Sequence, residues 1–244
     1  MLPVMGDIRH SPRPARILIT GATSGIGLAL VRRHAPGAQV LAAGRRSEAK
    51  ARGVLPDGVA YVQADQREPE QAVAAVLAKL DGLGWEGLDL AILNAGTGHA
   101  VDPAEETPSM LRDVLDTNLF AAIALAQALR PALEAGRGRL VLIGSTARKG
   151  AAGFASYAAA KGGLHGFARA LAEEWRGRIA VQVIHPGPTD TGMHARAGHD
   201  PGRAVRLFAG TGTMARLIDR AIARGRTVET ISFLRFLWRG EGGG

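Results

Sequence analysis

The sequence predicts an α/β fold: one doubly wound parallel sheet with helices on both faces, in a single domain. Two patterns carry that expectation. Short apolar runs alternate with helical spacing six times, and no break in composition marks a second domain. The residues with chemical character cluster just after the ends of those runs, which is where sheets of this kind bind ligands. The length of 244 residues suits one such domain and is enough to bury a substantial core.

The elements follow in order. Residues 1–15 hold three prolines and read as an irregular arm ahead of a domain over 16–240, with a disordered tail at 241–244. The first strand is Ile17-Leu18-Ile19. It runs into Thr20-Gly21-Ala22-Thr23-Ser24-Gly25-Ile26-Gly27, and helical spacing continues to His34. In a strand–turn–helix context, glycines let the backbone approach a pyrophosphate, and the helix N-terminus supplies N–H donors and positive dipole. Gly21, Thr23, Ser24, Gly25, Ile26 and Gly27 are therefore candidate phosphate-binding residues, against the alternative of a purely structural turn. Val40 to Ala43 is the second strand and ends in Gly44-Arg45-Arg46. A carboxylate there would accept from ribose hydroxyls, whereas arginine accommodates a 2′-phosphate, so the pair favours the phosphorylated dinucleotide over loop capping.

Val59 to Ala64 forms a third strand leading to Asp65, which reads equally as an adenine contact or as a cap for the helix beginning near Pro69. Glu70 to Leu80 is helical. Leu88 to Leu93 is a fourth strand ending in Asn94-Ala95-Gly96, small enough to pass close to a dinucleotide. Residues 107–135 form one long helical pattern opened by Thr107-Pro108, a cap and first-turn pair. Within it Asn118 either finds buried partners, holding water or bending the helix, or faces solvent. Arg139 to Ile143 is the fifth strand, ending at Ser145, and helical pattern follows through Trp175. Ala180 to Ile184 is the sixth, ending in His185-Pro186-Gly187-Pro188-Thr189-Asp190-Thr191. Residues 192–212 are rich in Gly, His and Arg and read as a substrate-side loop; Thr213 to Arg224 reads as a helix. The aromatic run Ile231 to Trp238 reads first as a packed edge element, with a subunit contact and a membrane-surface patch as alternatives.

Composition narrows the function. Hydrophobic content of 46% and charged content of 21% are those of a folded globular chain. The chain has no cysteine, which excludes disulfides, thiolate catalysis and cysteine-ligated metals. No signal-peptide pattern opens the sequence, and no apolar run is long enough to span a bilayer, so a cytoplasmic location is expected. The net charge of +8 comes mostly from dispersed arginine and reads as a solvated basic surface with anionic-ligand sites, not as a specific nucleic-acid interface. His99, His165, His194 and His199 lack metal-like spacing with carboxylates.

Tyr157 and Lys161 stand four residues apart in an alanine-rich helical stretch, so they share one face. A phenol with a pKa near ~10 is a poor base at neutrality, and a fixed ammonium beside it favours the phenolate. Bringing it to neutrality asks for roughly 4 kcal/mol of electrostatics. Taken alone, the pair is as common as any ordinary helical surface pair.

Taken together, Thr20–Gly27, Asn94-Ala95-Gly96, Asn118, Ser145, Tyr157 with Lys161, and Pro186-Gly187 resemble the short-chain dehydrogenases/reductases in order and spacing, over about residues 15–192. The resemblance implies a Rossmann-type sheet of order 3-2-1-4-5-6 with a further seventh strand. It implies an NADP(H)-dependent oxidoreductase, with NAD(H) as the alternative cofactor, acting on a small carbonyl or secondary alcohol, and a homodimer or homotetramer. Tyr157 would be the general acid/base, and Lys161 would lower its pKa and hold the nicotinamide ribose. Ser145 would hydrogen-bond the substrate oxygen, and Asn118 would hold a water in a proton relay. Gly21, Gly25 and Gly27 would shape the pyrophosphate turn, and Asp65 would contact adenine. Asn94, with Ala95 and Gly96, would support the central strand and cofactor, and Pro186, Gly187, Thr189 and Thr191 would line the nicotinamide side. A non-catalytic dinucleotide-binding redox sensor is the alternative function. The sequence departs from the family in four places: Ser145 lies twelve residues before Tyr157, where thirteen is commoner; Gly144 stands where a second serine is frequent, with Thr146 as fallback hydroxyl; the family's frequent Gly-Gly end after the last strand is not recognisable; and the loop after Thr191 is short, which implies a small substrate lid and an open site. His185 is expected to be structural in preference to touching the nicotinamide end. The small face of Ala158, Gly162 and Gly166 with Phe167 suits either close helix pairing between subunits or packing on the chain's own sheet.

Overall fold

The apolar runs align side by side as a parallel sheet in the computed structural model, which describes residues 15–193, 197–198, 202 and 208–231. The strands are β1 (Ala15–Thr20), β2 (Ala38–Gly44), β3 (Ala60–Gln63), β4 (Leu90–Leu93), β5 (Arg139–Ile143) and β6 (Ala180–Pro186). Two-residue strands β7 (Thr189–Asp190) and β8 (Ala209–Gly210) pair apart from the sheet, and β9 (Val228–Ile231) closes it. The order is β3-β2-β1-β4-β5-β6-β9, parallel throughout. The helices are α1 (Gly25–His34), α2 (Glu48–Arg52), α3 (Pro69–Gly82), α4 (Pro108–Leu115), α5 (Ala121–Ala128), α6 (Arg130–Gly136), α7 (Ala155–Glu174) and α8 (Thr211–Arg224).

Strands apolar on successive residues bury both faces, because successive side chains point to opposite sides. Leu18, Leu41, Leu140 and Leu142 join one core with Val76 and Leu80 of α3, Leu125 of α5 and Leu164 of α7. Their neighbours Ile17, Ile19, Val40, Ala42 and Val141 join the other, with Leu30 and Val31 of α1 and Met214 and Ile218 of α8. The chain direction across the sheet reverses between β1 and β4, and the crevice at their carboxyl ends is the ligand position in such folds. Among the described residues no single helix is long and apolar enough to cross a membrane.

Several elements differ from the sequence expectation. The pattern expected as one helix over 107–135 is interrupted. Thr107 does cap it, its hydroxyl accepting from the Met110 N–H at 3.3 Å. A π-helical turn, Asp116–Phe120, then separates α4 from α5, and α6 starts anew at Arg130 with Pro131 in its first turn, where a missing N–H costs nothing. Asp65 does not cap α3; Glu68 holds the N-cap position, and the Asp65 carboxylate is engaged elsewhere. The segment expected to be loop through residue 212 ends sooner, with β8 and α8 beginning at Ala209 and Thr211. A seventh strand exists, but it shares only Ile231 with the aromatic run, whose residues 232–238 fall outside the described residues. So do the arm up to residue 14 and the tail at 241–244. Ala15, placed in the arm by the sequence, opens β1.

Candidate active site

The glycine turn after β1 is shaped by how closely the chain passes itself. Gly21 has φ of +63°, and a Cβ there would sit 2.8 Å from the Ala95 Cα. A Cβ on Gly27 would come within 2.3 Å of the Gly21 carbonyl oxygen, so this position seats α1 against the turn. The Asn94 side-chain amide donates to the Thr20 carbonyl at 3.0 Å, and the Thr20 hydroxyl accepts from the Asn94 and Ala95 N–H groups. These bonds fix β1 and β4 at the point where the crevice opens. Ser24 makes no side-chain cap bond to α1, and no acidic residue occupies its first turn. The N-terminal N–H groups and their positive dipole are thus left for an outside anion.

Gly21, Thr23, Ser24, Gly25, Ile26, Arg45, Arg46, Asp65, Asn94, Ala95, Gly96, Ser145, Tyr157, Lys161, Pro186, Gly187, Thr189 and Thr191 all line one cavity of about 400 Å³. Gly27 and Asn118 do not line it; the first supports the turn from beneath, and the second stands behind the wall at Gly96.

At one end lie the arginines. The Tyr61 hydroxyl donates to the Gly44 carbonyl at 2.7 Å and the Arg46 carbonyl at 2.6 Å, pinning the backbone from which both arginines project. Burial pushes that phenol up to about 12, so it stays a donor. Among the described residues no ion pair ties down the guanidinium of Arg45 or Arg46. Asp65 instead pairs with Arg67, at 2.6 Å between the carboxylate and the Arg67 Nη2, and the bond holds its carboxyl below the usual range. Arg67 also lines the cavity and brings a third cation that sequence reading missed. Its position two residues after Asp65 was the available signal.

At the other end Tyr157 and Lys161 are both buried, one helical turn apart on α7 and facing the same cavity. The Lys161 Nζ lies 5.7 Å from the Tyr157 ring centroid and donates to the Ile143 carbonyl at 2.9 Å, at the end of β5. Burial brings its pKa down to about 8. Burial raises the Tyr157 phenol, and its hydrogen bond with Ser145 draws it partly back. The expectation that Lys161 lowers this phenol is not met: burial raises it, and Ser145, not Lys161, draws it back. Ser145, and not Thr146, makes that bond, so the shortened spacing to Tyr157 keeps the serine in register. Asn118 is buried in the π-helical turn. Its amide donates to the Val114 and Thr97 carbonyls, both at 2.8 Å, and its oxygen accepts from the Thr97 N–H at 3.3 Å. The solvent-facing alternative for Asn118 is ruled out. His185 is fully buried and is not among the lining residues, in keeping with a structural role. Phe154, Met193, Ala147 and Ala151 pack around Tyr157 as an apolar wall that the sequence did not distinguish from ordinary core.

Comparison with known proteins agrees with this geometry. Residues 15–202 match the family model described as short chain dehydrogenase. An Escherichia coli (strain K12) protein described as the uncharacterized oxidoreductase YciK is 33% identical over 196 residues, covering 74% of this chain and 76% of that protein. Among solved structures, a short-chain dehydrogenase from Sphingobium yanoikuyae in complex with NADPH superposes with a TM-score of 0.76 at 26% identity, covering 88% of this chain and 87% of the other. A short chain dehydrogenase from Burkholderia cenocepacia J2315 in complex with NADP gives 0.76 at 27% identity, covering 90% and 96%.

Proposed function

The chain belongs to the short-chain dehydrogenase family, and on that premise we propose that it is an NADP(H)-dependent oxidoreductase interconverting a carbonyl and a secondary alcohol. The observation that carries this reading is a single cavity with Tyr157, Lys161 and Ser145 at one end and, at the other, Arg45 and Arg46, which have no ion pair among the described residues. The residues fit a phosphorylated dinucleotide. The cradle at Gly21 and Gly25 is one that side chains would fill, and the N-terminus of α1 has no internal cap.

When bound, the dinucleotide gives or takes the hydride; the rest falls to the chain's own side chains. Tyr157 passes a proton to the substrate oxygen in reduction and takes it back in oxidation. Ser145 holds that oxygen and Tyr157 in one hydrogen-bonded line. Lys161, mostly protonated at neutral pH, supplies the positive charge that favours the phenolate and reaches the ribose hydroxyls. Asn118 keeps the water-holding role, with its amide spent on Val114 and Thr97. Asp65 contacts the adenine from its bond with Arg67. Pro186, Gly187, Thr189 and Thr191 line the nicotinamide side. The domain expected over 16–240 takes in Ala15 at its start, and the homodimer or homotetramer and cytoplasmic location are part of the same reading.

The wall beside Tyr157, made by Ala147, Ala151, Phe154 and Met193, favours a substrate that is neutral and apolar next to its carbonyl. A panel of aldehydes, ketones, quinones and acyl thioesters, read as loss of NADPH absorbance, tests the proposal. Turnover is expected for neutral members and is expected to fall when a carboxylate is placed beside the carbonyl. NADPH binding with no turnover of any member would favour the redox-sensor reading.

Cofactor choice has its own test. Replacing both Arg45 and Arg46 by alanine is expected to weaken NADPH binding by about 10- to 100-fold, since each exposed charge-assisted bond is worth about 1 kcal/mol. NADH binding should change less than about threefold. Titration of the two cofactors into parent and variant measures this, and tighter NADH binding by the parent would contradict the assignment.

A further inference from the structure

We propose that His185 is a positioning residue for Ser145, and that Gly144 carries no side chain because the His185 ring occupies its place. The ends of β5 and β6 lie side by side, with Ile143 opposite Ile184 and the Gly144 N–H donating to the Ile184 carbonyl at 2.8 Å. That register brings the next N–H, of Ser145, to the His185 Nδ1 at 3.2 Å. His185 is fully buried. Because its Nδ1 accepts, its proton sits on Nε2, which faces the His165 Nδ1 at 3.0 Å. The His165 proton is then on its own Nε2. One tautomeric order satisfies the whole chain of bonds, from the serine backbone through two imidazoles packed 5.1 Å apart.

Gly144 is explained by space and not by backbone freedom. It is not among the residues with positive φ. A Cβ on it would lie 2.2 Å from the His185 Nδ1 and 2.6 Å from its Cε1, atoms of a ring held on both sides. The departure from serine at this position and the histidine before Pro186 are therefore one feature. Its effect falls on Ser145. The serine's N–H is fixed by His185, and its hydroxyl accepts from the Ala147 N–H at 3.1 Å, which leaves the hydroxyl directed at Tyr157. Both imidazoles are kept neutral: burial pushes His185 down to about 3, with Arg148, His165 and Lys161 adding to it, and burial with Arg148 and Arg169 lowers His165. Neutrality is what this order of donors requires, since a second proton on His165 would set two N–H groups against each other.

The kinetic part of this inference rests on the proposed reaction; the steric part does not. With an active carbonyl substrate, His185→Leu is expected to lower kcat by about 10-fold or more, as small misplacements of a catalytic group do. The KM for NADPH should stay within about twofold, and His185→Asn, which places an oxygen near the lost Nδ1, should recover most of the rate. Equal losses in the leucine and asparagine variants, or a folded leucine variant with parental kcat, would overturn the positioning role. In thermal melts Gly144→Ala should lower the Tm, and adding His185→Ala should cost less than the two separate losses combined. Strict additivity would overturn the steric claim. If the parent turns over no carbonyl, the reaction assigned above has failed, and the melts alone decide the pairing of Gly144 with His185.

Discussion

Replacing Tyr157 by phenylalanine is expected to lower kcat for carbonyl reduction by about 10²- to 10⁴-fold, the range a positioned general acid supplies. Only one oxygen is removed. The ring keeps its edge contact with Phe154 at 6.4 Å between centroids, and the buried volume is unchanged. NADPH affinity should therefore stay within about threefold and the Tm within a few degrees, which separates lost chemistry from lost folding. Parental turnover by the phenylalanine variant would leave Tyr157 without its role and shift the reading to a dinucleotide-binding protein. The direction of the pH dependence follows from the same residue. Reduction needs the phenol protonated, and burial raises its pKa, so the reduction rate should hold level through neutrality and fall only on the alkaline side. Oxidation needs the phenolate and should rise with pH over the same range. A reduction rate already falling below neutrality would mean that another group limits it.

The sheet was legible because its strands are apolar on successive residues, a pattern that only burial on both faces explains. Arg139–Ile143 needed no adjustment. The strand Val228–Ile231 escaped because it carries Glu229, a buried carboxylate that reads as solvent-facing until its neighbours Arg224 and Arg226 are seen paired with it. The five residues of α2 are too few to show a period. The π-helical turn at Asn118 was hidden for a related reason: a locally wider turn shifts the face without changing residue types, so 107–135 kept its helical look. In the site, positions following strand ends could be read from residue type: glycine where the chain passes close, arginine where an anion is expected, serine where a hydroxyl is needed. Tyr61 acts through backbone bonds, and Phe154 and Met193 look like any core residues, so nothing local marked them; Arg67 was marked only by its place two residues after Asp65. The sign of the Tyr157 shift was out of reach because depth of burial, which decides it here, is a property of the folded chain.

Lys161→Met is expected to abolish measurable turnover and, at neutral pH, to make the protein more stable. The ammonium is 3% exposed, and burial lowers its pKa from the ordinary 10.5 to about 8. The folded value lies below the unfolded one, so the unfolded chain binds more protons between those limits, and the parent's stability rises with pH from about 8 to about 10.5. Below that window the buried charge costs about 3 kcal/mol, at about 1.4 kcal/mol per pKa unit. Methionine fills the space of the stem but loses the bond to the Ile143 carbonyl, worth about 1 kcal/mol. The net gain of about 2 kcal/mol at pH 7 corresponds to a Tm higher by about 4–8 °C for a domain of this size. The gain should shrink above pH 8 and reverse by about pH 10.5, where both side chains are neutral and only the lost hydrogen bond remains. Melts of parent and variant across pH 7 to 10.5 read this directly, and a variant less stable than the parent at pH 7 would contradict it. A cation that weakens its own fold at the base of a cavity needs a reason to be there. The role proposed for it beside Tyr157 and the cofactor ribose would be such a reason, and a site shaped for a reaction at the expense of stability is the general result of such selection.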